Sequence, residues 1–203
     1  LAKQRGEGVV LDLTDAPYFL QDITMGARDL VAGNVDLRVL SGGPVTITVL
    51  SVSPGMDPRA LSDAPVLAGD GHHRTGVFTL TGFGANRLSY SVGGPDVTLD
   101  IGDTQPTPPS VDPAATGHDY GDYGVLHTID LTLTNPSGTP ATAYLYFRPF
   151  GGPARGGFLV DGNFVSVGCV RVPQPYQISA FELAPGQTQN TVVQTMTDGG
   201  SFY

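Results

Sequence analysis

The run Gly117-His-Asp-Tyr-Gly-Asp-Tyr-Gly124 is the most unusual local motif of this 203-residue chain. Asp119 and Asp122 stand three residues apart in a glycine loop, and paired carboxylate oxygens are what a hard cation such as Ca²⁺ takes as ligands. Tyr120 and Tyr123 join an apolar ring to a polar tip, which suits stacking on sugar rings or anchoring a protein partner. The candidate binding residues are therefore Tyr120, Tyr123, Asp119 and Asp122. The Asp-x-Asp-x-Asp-Gly calcium loop is absent, so Ca²⁺ is a candidate ion and no cofactor is required. A structural reading stands beside these: a linker-to-strand junction whose tyrosines pack between elements.

Gly69-Asp-Gly-His-His-Arg-Thr-Gly76 places His72 and His73 side by side. Adjacent residues of a strand point to opposite faces, so the pair chelates a metal only if the loop bends. Transition-metal sites generally use three or more protein ligands, and His118 and His127 are the only other histidines. The metal candidates are Asp119, Asp122, His72 and His118. Cys169, the single cysteine, lies in the apolar run Phe164-Val-Ser-Val-Gly-Cys-Val170 and reads as a small buried hydrophobe. Val-Arg-Val-Pro follows it, without the His and Met that a cupredoxin-like copper site needs. Arg148, Arg155 and Arg171 are the only cations after residue 104. Arg148 and Arg155 flank Pro149–Ala154 and suit salt links better than a carboxylate clamp.

No local signature of an enzyme is present: no Gly-x-Ser-x-Gly, His-Glu-x-x-His, Gly-x-x-x-x-Gly-Lys or Gly-x-Gly-x-x-Gly. Glu7 and Glu182 are the only glutamates among 17 aspartates. Most of those aspartates fall at turns, where Asp belongs for structural reasons. The net charge of −9 is spread over both halves, and one Lys and nine Arg form no basic cluster. Nucleic acid is excluded as a partner, because binding it requires clustered cations to displace counterions. No apolar run reaches the roughly 20 residues of a membrane helix, so membrane insertion is not expected. The sequence opens on Leu1, as a processed form or a fragment would.

The elements that position these residues are strands. With 45 Gly and Pro and 14% charged residues, the chain is poor in helix formers and well punctuated. The pattern predicts a hairpin of Val35–Leu40 and Val45–Val52, then strands at Gly76–Leu80, Arg87–Val92 and Asp96–Ile101. One short helix is expected near 57–63, where Asp57 caps and Pro58 opens a single turn or two. Later strands are expected at Val125–Thr134, paired with Ala141–Arg148, then at Phe158–Val167 around the Asp161-Gly162 turn, at Tyr176–Leu183, and at Thr188–Met196. Val125, His127, Ile129, Leu131 and Leu133 should share one face.

Thr104–Gly117 holds Pro106, Pro108, Pro109 and Pro113 and little that would be buried. It reads as a semi-rigid extended linker at 104–117 between a β-sandwich domain at 1–103 and a second at 118–203. The alternative is one large β-sandwich with the proline segment crossing its surface.

The stretch 124–197, with its strand–Asn135-Pro136–strand pattern and Leu183-Ala-Pro-Gly-Gln-Thr188 before a final Thr/Val strand, resembles the immunoglobulin-like β-sandwich modules of bacterial exported proteins. The resemblance implies an all-β fold of two tandem antiparallel sandwiches. The absence of a catalytic constellation, with a strand-rich Gly/Pro/Thr composition and a Pro-rich spacer, points to a non-catalytic module at an extracellular or cell-surface location, acting in adhesion, assembly or domain spacing, with a protein partner or a second copy bound through edge strands and tyrosine-bearing loops. Two alternatives stand: a carbohydrate- or calcium-dependent binding module attached to an enzyme, with a platform drawn from Tyr120, Tyr123 or Tyr176, and a hydrolase with an Asp-based site between domains.

Overall fold

The computed structural model describes residues 10, 12–13, 23–27, 37–57, 77–79, 85–102, 108–111, 119 and 121–197. Contacts divide the chain into two compact units: Leu1–Val31 with Val39–Ala68, and Ala32–Arg38 with Gly69–Tyr203. Among the described residues, all strands lie in the second unit: β1 (Ala85–Ser91), β2 (Leu126–Thr134), β3 (Ala141–Phe147), β4 (Ala154–Val160), β5 (Asn163–Val170), β6 (Tyr176–Leu183) and β7 (Thr188–Met196). Among the described residues there is no helix, and the protein is all-β.

The strands form two sheets, one of five strands in the order β1-β2-β7-β4-β5 and one of β3 and β6 alone. Strand β2 sits between β1, to which it is parallel, and β7, to which it is antiparallel. A parallel neighbour needs a long connection, and here the chain between β1 and β2 runs through 92–125. Val92 extends the pairing by donating its N–H to the Thr134 carbonyl at 2.9 Å. Within that connection, Ser110 forms an antiparallel bridge with Phe78, and the Val111 N–H donates to the Val77 carbonyl at 2.8 Å.

Both sheets turn alternate side chains into one core. Leu131 and Leu133 of β2, Ala143 and Phe147 of β3, Ala154, Phe158 and Val160 of β4, Val167 of β5, Phe181 and Leu183 of β6, and Val193 of β7 pack together. The rings of Phe147 and Phe158 meet at 5.3 Å between centroids, tilted by 54°, which joins the two sheets. A fully buried leucine such as Leu183 contributes about 2 kcal/mol by leaving water. Leu88, Tyr90 and Val92 close the β1 side of this core. The alternation of β2 is as the sequence predicts, with His127, Leu131 and Leu133 buried and Leu126 and Asp130 exposed.

Asp161 and Gly162 join β4 to β5 in a two-residue turn with φ of 48° and 81°. Two positive φ values are what a right-twisted hairpin needs, and Asp-Gly supplies them at low cost. The turn is tied to β7 as well: Val192 N–H donates to Asp161 Oδ1 at 2.8 Å, and Asp161 N–H donates to the Val192 carbonyl at 2.9 Å.

Three sequence expectations are corrected. Strand β3 pairs with β6, not with β2, because the Asn135–Pro140 loop carries the chain from one sheet to the other. In the first unit the described residues 39–57 form no strand, and Val45, Ile47 and Val49 are exposed. Their β-branched alternation is a preference for a half-buried pleated surface rather than for an isolated extended chain, and they meet no partner ladder. Asp96–Ile101 likewise lies outside the sheets. Of the helix expected near 57–63, only Asp57 is described, and it is not helical; the rest lies outside the described residues.

Candidate functional site

The Asp/Tyr motif folds into a tight polar knot where the chain enters β2. Asp119 N–H donates to the Pro108 carbonyl at 2.9 Å, Asp122 N–H to the Asp119 carbonyl at 2.9 Å, and Val125 N–H to the Asp122 carbonyl at 3.1 Å. From beyond β7, Thr197 donates its hydroxyl to the same Asp122 carbonyl, while its own carbonyl accepts from Gly124 N–H at 3.0 Å. Asp122 takes a left-handed φ of 50°, and Gly121 one of 98°. A Cβ on Gly121 would stand 2.6 Å from the Tyr123 ring, so only glycine lets that ring lie over the loop. Tyr123 itself is half-buried and bridges Thr197.

The knot closes over its own polar groups. Asp119 and Asp122 are each 2% exposed and His127 is 1% exposed. The first two strand residues of β2 are Leu126, which faces out, and His127, which faces in opposite Thr195. His127 Nε2 stands 3.4 Å from Asp122 Oδ2. Among the described residues neither ring nitrogen of His127 has a hydrogen-bond partner. Burial pushes the imidazole pKa below its ordinary 6.5, because desolvation disfavours the charged form. Strand pleating could have pointed to His127 from sequence, since it shares a face with Leu131 and Leu133. The contact with Asp122 depends on the knot's turns, which carry no periodic signal.

Tyr120, His72, His73 and His118 lie outside the described residues. Among the described residues, no group of three or more His, Cys, Asp or Glu side chains is placed to hold a metal ion. Arg148, Arg155 and Arg171 are exposed. Cys169 is exposed rather than buried. The register of β4 and β5 advances two residues from Ala154 to Gly156 against three from Val170 to Val167, so Gly168 and Cys169 form a bulge that turns the thiol out of the core.

A second constellation lies on the outer face of the β3–β6 sheet. The cross-strand pairs Thr142–Glu182, Tyr144–Ala180 and Tyr146–Gln177 all face outward. Tyr144 is 55% exposed and Tyr146 51%, and their ring centroids are 6.3 Å apart. The opposing Ala180 is small, so it leaves the flank of Tyr144 open. At the Thr142–Glu182 end the face runs into a cleft of about 550 Å³ lined also by Pro140, Ala141, Leu183, Ala184 and Gln187. Tyr176 begins β6, opposite Phe147 and 41% exposed. The alternation Tyr144-Leu145-Tyr146 carried this signal in the sequence: i and i+2 on a strand share a face.

The cleft is shaped from behind by Asn135, which is wholly buried. Its Nδ2 donates to the carbonyls of Thr139 at 2.9 Å, Leu183 at 3.1 Å and Ala184 at 3.1 Å. Its Oδ1 accepts from Ser137 N–H and Oγ. One side chain thus pins the β2–β3 loop to the end of β6. Gln187 closes the β6–β7 turn by accepting from Ala184 N–H at 2.7 Å.

No protein-family model, curated protein or solved structure matches this chain. No helix among the described residues is long and apolar enough to cross a membrane.

Proposed function

We propose that this chain is a non-catalytic binding module of an exported or cell-surface protein, built on an immunoglobulin-like sandwich and acting in adhesion, assembly or domain spacing. The observation that carries this reading is the outward row of Tyr144 and Tyr146 on a two-stranded sheet. Large, rigid, amphipathic rings held half-exposed by a strand make contact area with little loss of side-chain entropy on binding.

The carboxylates support the same reading. Most glycoside hydrolases use two carboxyl groups roughly 5–10 Å apart across the substrate. Among the described residues, the cleft beside the tyrosines is lined by one, Glu182. Asp119 and Asp122 are buried in the knot, where they hold the entry to β2. The test is retention of the intact chain on candidate surfaces, with hydrolysis products assayed in the same tubes. Retention without turnover is the expected result. Turnover abolished by Glu182→Gln or Asp122→Asn would overturn the reading.

A further inference from the structure

We propose that the outer face of the β3–β6 sheet, with the cleft at its end, is a binding site for an uncharged polysaccharide chain. The inference rests on the binding-module reading and names its ligand class. The row Tyr146–Tyr144–Thr142 spans four residue-to-residue steps of strand, about 13 Å at the rise of an extended chain. That is enough for a short run of linked sugars, and the cleft continues the track beyond Thr142 and Glu182.

The chemistry of the face selects the occupant. A pyranose ring offers a patch of C–H groups on its face and hydroxyls at its rim. The tyrosine rings meet the first. The Tyr hydroxyls, the Gln177 amide, the Thr142 hydroxyl and the Glu182 carboxylate meet the second, as donors and acceptors at the edge of the trough. Arg148 follows Phe147 and is exposed at the Tyr146 end of the row, Glu182 is exposed at the other end, and the whole chain carries −9. The net negative field of the chain disfavours anionic polysaccharides and nucleic acids.

A second copy of the chain fits poorly. Two tyrosines expose at most a few hundred Å², below the roughly 800 Å² per partner of a stable protein interface. A flat sugar needs neither the area nor a charged partner.

The test is depletion of the full chain from solution by insoluble cellulose, chitin, xylan and β-1,3-glucan, followed by calorimetry with soluble oligomers of whichever retains it. Pectate and heparin serve as anionic controls. The expected result is retention by at least one neutral polymer, with affinity unchanged between about 0.05 and about 0.5 M salt. Tyr144→Thr and Tyr146→Thr, chosen because threonine keeps a strand's preferences, should each weaken binding about tenfold. The double variant should lose it at an unchanged melting temperature. Failure of all four polymers to retain the chain, capture by the anionic polymers alone, or undiminished binding by the double variant overturns the proposal. So does self-association abolished by the same substitutions, which would make a second copy the occupant. Sugar release from a bound polymer leaves this site standing and overturns only the non-catalytic reading.

Discussion

His127 Nε2 and Asp122 Oδ2 lie 3.4 Å apart, with both side chains shut away from solvent. Burial lowers the imidazole pKa from 6.5, so below that pH the unfolded chain binds a proton that the folded chain resists. Stability is full above pH 6.5 and is lost as pH falls below it, by at most about 1.4 kcal/mol per pH unit for one proton. The Asp122 carboxylate faces the ring, and an unperturbed aspartate titrates in a lower range. Urea unfolding between pH 8 and pH 5 should show a steeper loss for the wild type than for His127→Gln. Parallel curves would contradict the assignment.

Asn135 carries the second prediction. Truncation in Asn135→Ala removes the donor for three carbonyls, one of them the buried Leu183 carbonyl, and the unsatisfied groups cost about 2–4 kcal/mol. The urea midpoint should fall with an unchanged slope. A loss under about 0.5 kcal/mol would mean that water or a shifted loop replaces the clamp.

A third prediction separates backbone strain from crowding. Gly162 has φ of 81°, and a Cβ there meets nothing within 4 Å. Gly162→Ala should therefore cost about 1 kcal/mol from the left-handed conformation alone. Asp161→Ala should cost more, about 1.5–2 kcal/mol, chiefly through the charge-assisted hydrogen bond that Asp161 accepts from Val192 N–H. Equal losses in thermal unfolding would count against this division.

Cys169 supplies the fourth. An exposed thiol on a bulge should react fully with a disulfide reagent in the folded state, and Cys169→Ser should leave stability within about 0.5 kcal/mol. A thiol reactive only after denaturant is added would place it in the core.

The strands after residue 124 were legible because their sequences alternate and their turns are chemically explicit. Tyr176–Leu183 and Thr188–Met196 appear with the bounds expected, and Asp161-Gly162 makes the turn its residues specify. Partnership was less legible. Alternation tells which face of β3 is buried but not which strand lies beside it, and the Asn135 bonds that pin the β2–β3 loop to the end of β6 reach 48 and 49 residues along the chain, beyond any local pattern. The same limit explains Val45–Val52, whose pattern suits a strand but whose described residues meet no ladder. At the site, spacing brought out Asp119 and Asp122 but not their burial. Burial comes from the turns at Gly121, Asp122 and Gly124, three left-handed residues in four, and left-handed turns have no period to read.

The most direct measurement compares two variants at one temperature well below both melting points: the Tyr144→Thr/Tyr146→Thr double and Asp122→Asn. Melting temperature and retention on the neutral polysaccharide are read together. The tyrosine double should lose retention and keep its melting temperature, while Asp122→Asn should melt lower and bind as the wild type does. Retention lost in Asp122→Asn and kept in the tyrosine double would contradict the account, because the buried knot and not the outer face would then be the site.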